Sequence, residues 1–230
     1  MFNTKSFILN GLRKYGLSDL PGRPYDNSFE LLDSPPSRKK IVMVGFNGSL
    51  ADVRNTNEEA IENDFHSPTS SNIQNGIEGK WGITHLAKRL QQIPGELGYD
   101  WNDTIYTNAI LMCSRNAFSI SKCAKEHNIL LEDLVKKSLG FFNEITMAIS
   151  EPDVIVAYSN SLTSLSSASL LLKYFGDRTT LNYSQNTGYY TTYSFKANFN
   201  HHEVPVVCVR HMSRFKPKIE YIKEALNLVG

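Results

Sequence analysis

Residues 41–49 read Ile41-Val42-Met43-Val44-Gly45-Phe46-Asn47-Gly48-Ser49, and this stretch decides the fold class. Its first four residues are apolar and mostly β-branched, with no alternation, the pattern of a strand covered on both faces. Gly45 to Ser49 then ends the run in small and polar turn formers. Three more runs share that character: 104–111 (TIYTNAIL), 154–158 (VIVAY) and 204–209 (VPVVCV). Between them, helical periodicity spans about 80–92, 129–149, 160–175 and 214–228, the first and last amphipathic. Strand followed by helix, repeated, predicts a three-layer α/β/α domain around a central four-stranded, mostly parallel sheet. In such sheets the functional loops sit at the carboxyl ends of the strands.

The rest of the 230 residues arranges itself around that core as one domain. Residues 1–38 form an N-terminal helix and a turn-rich arm, and 39–230 the α/β core. Two polar stretches break the repeat. One is 51–79; the other, 177–203, reads as a hairpin or edge strands around Asn186-Thr187-Gly188. Both are candidates for a binding mouth.

Composition bounds the function classes. No apolar stretch approaches the roughly 20 residues that span a bilayer, and the N-terminal apolar run is short for a secretory signal, so a cytoplasmic, membrane-free protein is expected. Three cysteines without CxxC spacing encode neither a disulfide framework nor a zinc site, and a four-cysteine cluster is impossible. No metal or other cofactor is expected. A net charge of +1 means that any nucleic-acid contact must be local. The densest basic run is RHMSRFKPK, 210–218, which holds Arg210, Arg214, Lys216 and Lys218 without an acid.

Three strand ends carry polar groups suited to chemistry. Asn47 lies in the turn after the first strand. Asn108 is an amide amid apolar residues, costly unless paired, and able to both donate and accept toward the edge of a nucleobase. His211 follows the last strand, with Ser213 as a fitting N-cap for a helix whose start favours phosphate. No GxxxxGK[ST], GxGxxG or GxSxG pattern is present. Tyr158-Ser159-Asn160-Ser161 reads as a strand-to-helix turn with N-caps. The cluster Tyr189, Tyr190, Tyr193, Phe195 and Phe199 could stack on nucleic acid, although hairpin alternation makes half of it packing.

In this order, the three segments resemble the motifs of the uracil-DNA glycosylase superfamily over about residues 38–228. GFNGS is similar to the first motif, GQDPY in one branch and GINPG or GMNPG in others. TNAIL is similar to LNAVL, and RHMSRF to HPSPL. The resemblance implies a metal-free, monofunctional DNA N-glycosylase, a hydrolase that flips a nucleotide and leaves an abasic site. It implies Asn47 and His211 as catalytic residues, with Asp52 a second candidate for activating water. It further implies Asn108, Phe46 and Gly48 around the base, Phe215 filling the gap in the duplex, and Ser49, Ser213, Arg214 and Lys216 on the DNA backbone. The implied partner is DNA and the expected state a monomer.

Departures from the motifs bear on the substrate. Gly48 and Ser49 replace the proline and the aromatic gate of GQDPY, while Met212 and Arg214 replace prolines. A small residue at the gate points to a bulky modified pyrimidine, such as the glucosylated hydroxymethylcytosine that some antiphage members excise. Uracil or damaged-base repair is the main alternative, and a non-catalytic DNA-binding or inhibitor module with this fold is the other.

Overall fold

The computed structural model describes residues 3–26, 40–49, 55–64, 85–100, 103–200 and 202–230. Along them run α1 (Thr4–Tyr15), β1 (Tyr25–Asp26), β2 (Ile41–Ser49), α2 (Asn57–Asp64), α3 (His85–Glu96) and β3 (Thr104–Ser114). Then follow α4 (Ile120–Glu126), α5 (Leu131–Phe141), β4 (Val154–Ala157), α6 (Ser167–Tyr174), β5 (Gly176–Gln185), β6 (Thr192–Phe199), β7 (His202–Cys208) and α7 (Ile219–Asn227).

The strands form one sheet in the order β1-β3-β2-β4-β7-β6-β5. Its centre, β3-β2-β4-β7, is parallel and consists of the four apolar runs seen in the sequence. The expected four strands undercount the sheet, which has seven among the described residues. The hairpin β5–β6 pairs antiparallel along β7, from Tyr193 opposite Cys208 to Phe199 opposite His202, and covers an edge that would otherwise leave backbone groups unpaired. Tyr25 and Asp26 add a short antiparallel edge to β3.

Period-two alternation divides the apolar side chains between two faces. Val42, Val44, Phe46, Ile155, Ala157, Val206 and Cys208 belong to a core shared with α1, α5 and α6. Ile41, Met43, Tyr106, Val156, Tyr158, Val207 and Val209 belong to a second core with Leu90 and Ile93 of α3 and Ile222 and Ala225 of α7. Helices therefore cover both faces, giving the expected three layers.

Helix boundaries moved where side chains compete for the backbone. The reading of 160–175 as helix shortens to Ser167–Tyr174, because the serines before it bond locally: Ser166 Oγ accepts from Ser169 N and donates to Ser161 O. The helix expected over 129–149 runs as Leu131–Phe141 and then continues as a π-helical turn, Phe142–Thr146. The helix expected from 214 begins at Ile219, with Lys218 as its N-cap. Pro217 disfavours helical conformation in the residue before it and sets that later start. Ser213 is consequently not an N-cap. No helix among the described residues is long and apolar enough to cross a membrane.

Candidate functional site

Four parallel strands bring the polar groups together at their carboxyl ends. Gly45 on β2 lies in register with Asn108 on β3, and Tyr158 directly follows β4, its backbone N–H donating to Val44 O at 3.0 Å. A side chain on Gly45 would collide with Asn108 Oδ1 and would come within 2.5 Å of Tyr158 Oη. The absence of a Cβ at Gly45 is what lets these two polar atoms be neighbours. Tyr158 in turn faces His211, with ring centroids 6.1 Å apart. Asn108, Tyr158 and His211 thus form one line across the end of the sheet.

The chemistry of each member follows from its partners. Asn108 is about nine-tenths buried, and its side-chain Oδ1 lies beside the Tyr158 hydroxyl. A side-chain amide at a strand end carries both the donors and the acceptor that a ligand's polar edge needs. His211 is exposed and its Nδ1 lies 2.8 Å from Ser213 Oγ. The Ser213 backbone N–H also donates to Nδ1, at 3.3 Å. An Nδ1 that accepts must leave the proton on Nε2, so Nε2–H is a fixed donor. Surrounding protein atoms, and then the charge of Arg214, lower the His211 pKa from its ordinary 6.5. The ring is therefore neutral at pH 7 and donates without carrying charge.

Asn47 sits two residues beyond Gly45, but its amide nitrogen is committed. It donates to Ser114 Oγ at 2.7 Å, with longer bonds to Gly48 O and Met112 O. That leaves Oδ1 as the acceptor of this side chain at the end of β2. The structure joins Asn108 to His211 through Tyr158, while Asn47 is held beside them by the end of β3.

Other expected site residues are placed differently. Phe46 is buried in the opposite core, on the far face of the sheet from Gly45, Asn108 and Tyr158. Alternation along β2 removes it from the base-stacking role. Gly48 points its missing Cβ at Cys113 Sγ, so its smallness serves strand packing. Ser49 is exposed at the strand end, and Asp52 lies outside the described residues. Phe215 is half-buried and does not project freely as a wedge, because its ring is stacked on Tyr189. Arg214 and Lys216 are exposed, and Ser213 braces His211.

Several contributors carried no sequence signal. Tyr158 read as a turn residue; only adjacency to β2, which pairs with β4 across more than 100 residues of chain, makes it central. Arg89 on α3 donates to Met212 O at 2.7 Å, and Met212 is fully buried, so this arginine fixes the His211 loop from the second core. Its helix was predicted but its reach was not. Among the described residues no cluster of three His, Cys, Asp or Glu side chains is arranged to hold a metal ion.

The chain matches no model of a known protein family and no characterised protein.

Proposed function

We propose that this chain is a DNA glycosylase of the uracil-DNA glycosylase type, acting on a bulky modified pyrimidine. The observation that carries the reading is the line Asn108–Tyr158–His211, in which a largely buried amide and a neutral imidazole with Nε2–H as donor stand at the carboxyl ends of one parallel sheet. An extruded base offers donors and acceptors that match those of the amide. As the glycosidic bond breaks, negative charge grows on a pyrimidine oxygen, and His211 Nε2–H donates to it. Positive charge grows on the sugar, and water adds at the anomeric carbon.

Asn47 Oδ1 holds that water. An amide is a poor general base, so it orients the nucleophile and most of the acceleration comes from stabilising the departing base. The water's oxygen bonds to the anomeric carbon and keeps one proton as the new hydroxyl, while its other proton passes through solvent to the departing base, which is released neutral. Tyr158 is buried beside the reading amide and limits how a base enters. Ser49, small and exposed where the resembling branch carries an aromatic gate, favours a substituted pyrimidine.

Duplexes carrying one uracil, one hydroxymethylcytosine or one glucosylated hydroxymethylcytosine, scored for alkali-labile abasic sites, test the proposal. Release of the glucosylated base, lost in His211→Ala and Asn108→Ala, is the expected result. Release of uracil alone would replace the substrate with a repair lesion. Binding without release of any of these bases, from duplex or single strand, would make the chain a non-catalytic DNA-binding module.

A further inference from the structure

The hairpin inserted between α6 and β7 delivers an exposed tyrosine onto the loop that carries His211. Tyr189 lies in the helical turn Gly188–Tyr190 between β5 and β6 and stacks on Phe215, with centroids 4.9 Å apart and 22° between planes. The Arg210 guanidinium sits 4.3 Å from the Phe215 centroid and 5.4 Å from that of Tyr189. Its Nη1 also donates to Gly188 O at 3.0 Å. Three flat groups from two separate segments are thereby assembled in advance, one residue from His211.

Tyr189 remains 64% exposed, so the stack covers one side of the ring and leaves the other to solvent. Core packing does not account for this. Tyr193, Phe195 and Phe199 on β6 are buried, whereas Tyr189 and Tyr190 face outward. An aromatic ring held flat by a neighbour and backed by a guanidinium offers a ready face to a second planar group. The cations Arg214 and Lys216 on the same loop are exposed and have no carboxylate partner among the described residues, whereas Lys218 lies 3.9 Å from Glu220. The matching ligand has planar groups and repeated negative charge, which describes a nucleic-acid strand. Inside a duplex each base face is covered by its neighbours; an unpaired nucleotide presents a free one.

We infer that Tyr189, on its Phe215–Arg210 backing, is a stacking seat for an unpaired nucleotide, and that the preferred partner of this face is single-stranded DNA. The inference rests on the reading of the site as DNA-acting and adds the strand state to it. A strand seated there has its next nucleotides beside His211.

Fluorescence anisotropy of a short labelled thymidine homopolymer, against a blunt duplex of equal length at the same salt, tests this without any base release. The unmodified protein should bind the single strand ~10-fold more tightly than the duplex. Tyr189→Ala should lower single-strand affinity ~10-fold, while Tyr189→Phe, which keeps the ring, should retain it. Because the side chain is exposed, thermal melting should be the same in all three proteins. Equal affinity for both probes, or an unchanged Tyr189→Ala, would overturn the inference. Base release with unchanged Tyr189→Ala binding would overturn this inference alone. Single-strand binding lost in Tyr189→Ala, with no base release from any DNA, would overturn the glycosylase reading alone.

Discussion

At the scale of single residues, Asn108 and His211 separate function from stability. Asn108 is a polar side chain about nine-tenths buried at the end of β3. Asn108→Ala should lower base release about 10²-fold while the protein still melts in one cooperative transition. Thermal melting and abasic-site assays on one preparation check both halves. His211 makes a pH prediction with a definite sign. Its pKa is lowered, so the neutral donor persists to more acidic pH than an ordinary imidazole would allow, and activity should fall only below 6.5. Removing the Arg214 charge takes away one cause of the lowering. In Arg214→Ala the acidic limb of the pH–rate profile should move to higher pH, and an unmoved limb would exclude His211 as the titrating donor.

At the scale of elements, α2 is fastened to the sheet by one side chain. Asn57 is fully buried and its Nδ2 donates to Leu17 O at 2.9 Å and to Leu111 O at 2.7 Å, bridging the end of α1 and β3. Asn57→Ala strands both carbonyls and should destabilise the protein by about 1–3 kcal/mol, read by denaturant titration. The strands were legible in the sequence because their signal is local: 41–46, 104–111, 154–158 and 204–209 are continuous apolar runs that only a doubly covered sheet can bury. Helix starts were less legible. Pro217 and the serines of 159–166 act through backbone geometry and local bonding that an amphipathic pattern does not report. Of the site, Asn108 and His211 stood out as polar residues at strand ends. Tyr158, Arg89 and the Tyr189–Phe215 stack did not, because each depends on a contact between segments far apart in sequence. Phe46 was misread for a related reason, since adjacency to Asn47 in sequence means opposite sides of a pleated strand.

At the scale of the molecule, charge is balanced in sum and uneven in place. Lysines and arginines number 24 against 23 acids. On the N-terminal helix the cations are paired: Lys5 with Glu62, Arg13 with Glu58, and Lys14 with Glu144. Arg214 and Lys216 have no such partners among the described residues. DNA binding should weaken with salt through a small number of released counterions, and Lys216→Ala should reduce the slope of log affinity against log salt by about 1. A slope unaffected by this change would place the backbone contacts elsewhere. The strand order β3-β2-β4-β7 also governs how the protein is made. Emerging from the ribosome, Ile41–Ser49 meets Thr104–Ser114 on one side, but its other neighbour, Val154–Ala157, is more than 100 residues later. At the usual pace of synthesis that interval lasts roughly 5–20 s. Until that neighbour appears, one edge of this interior strand stays unpaired, so the nascent chain is a client for chaperones well before it can bind anything else.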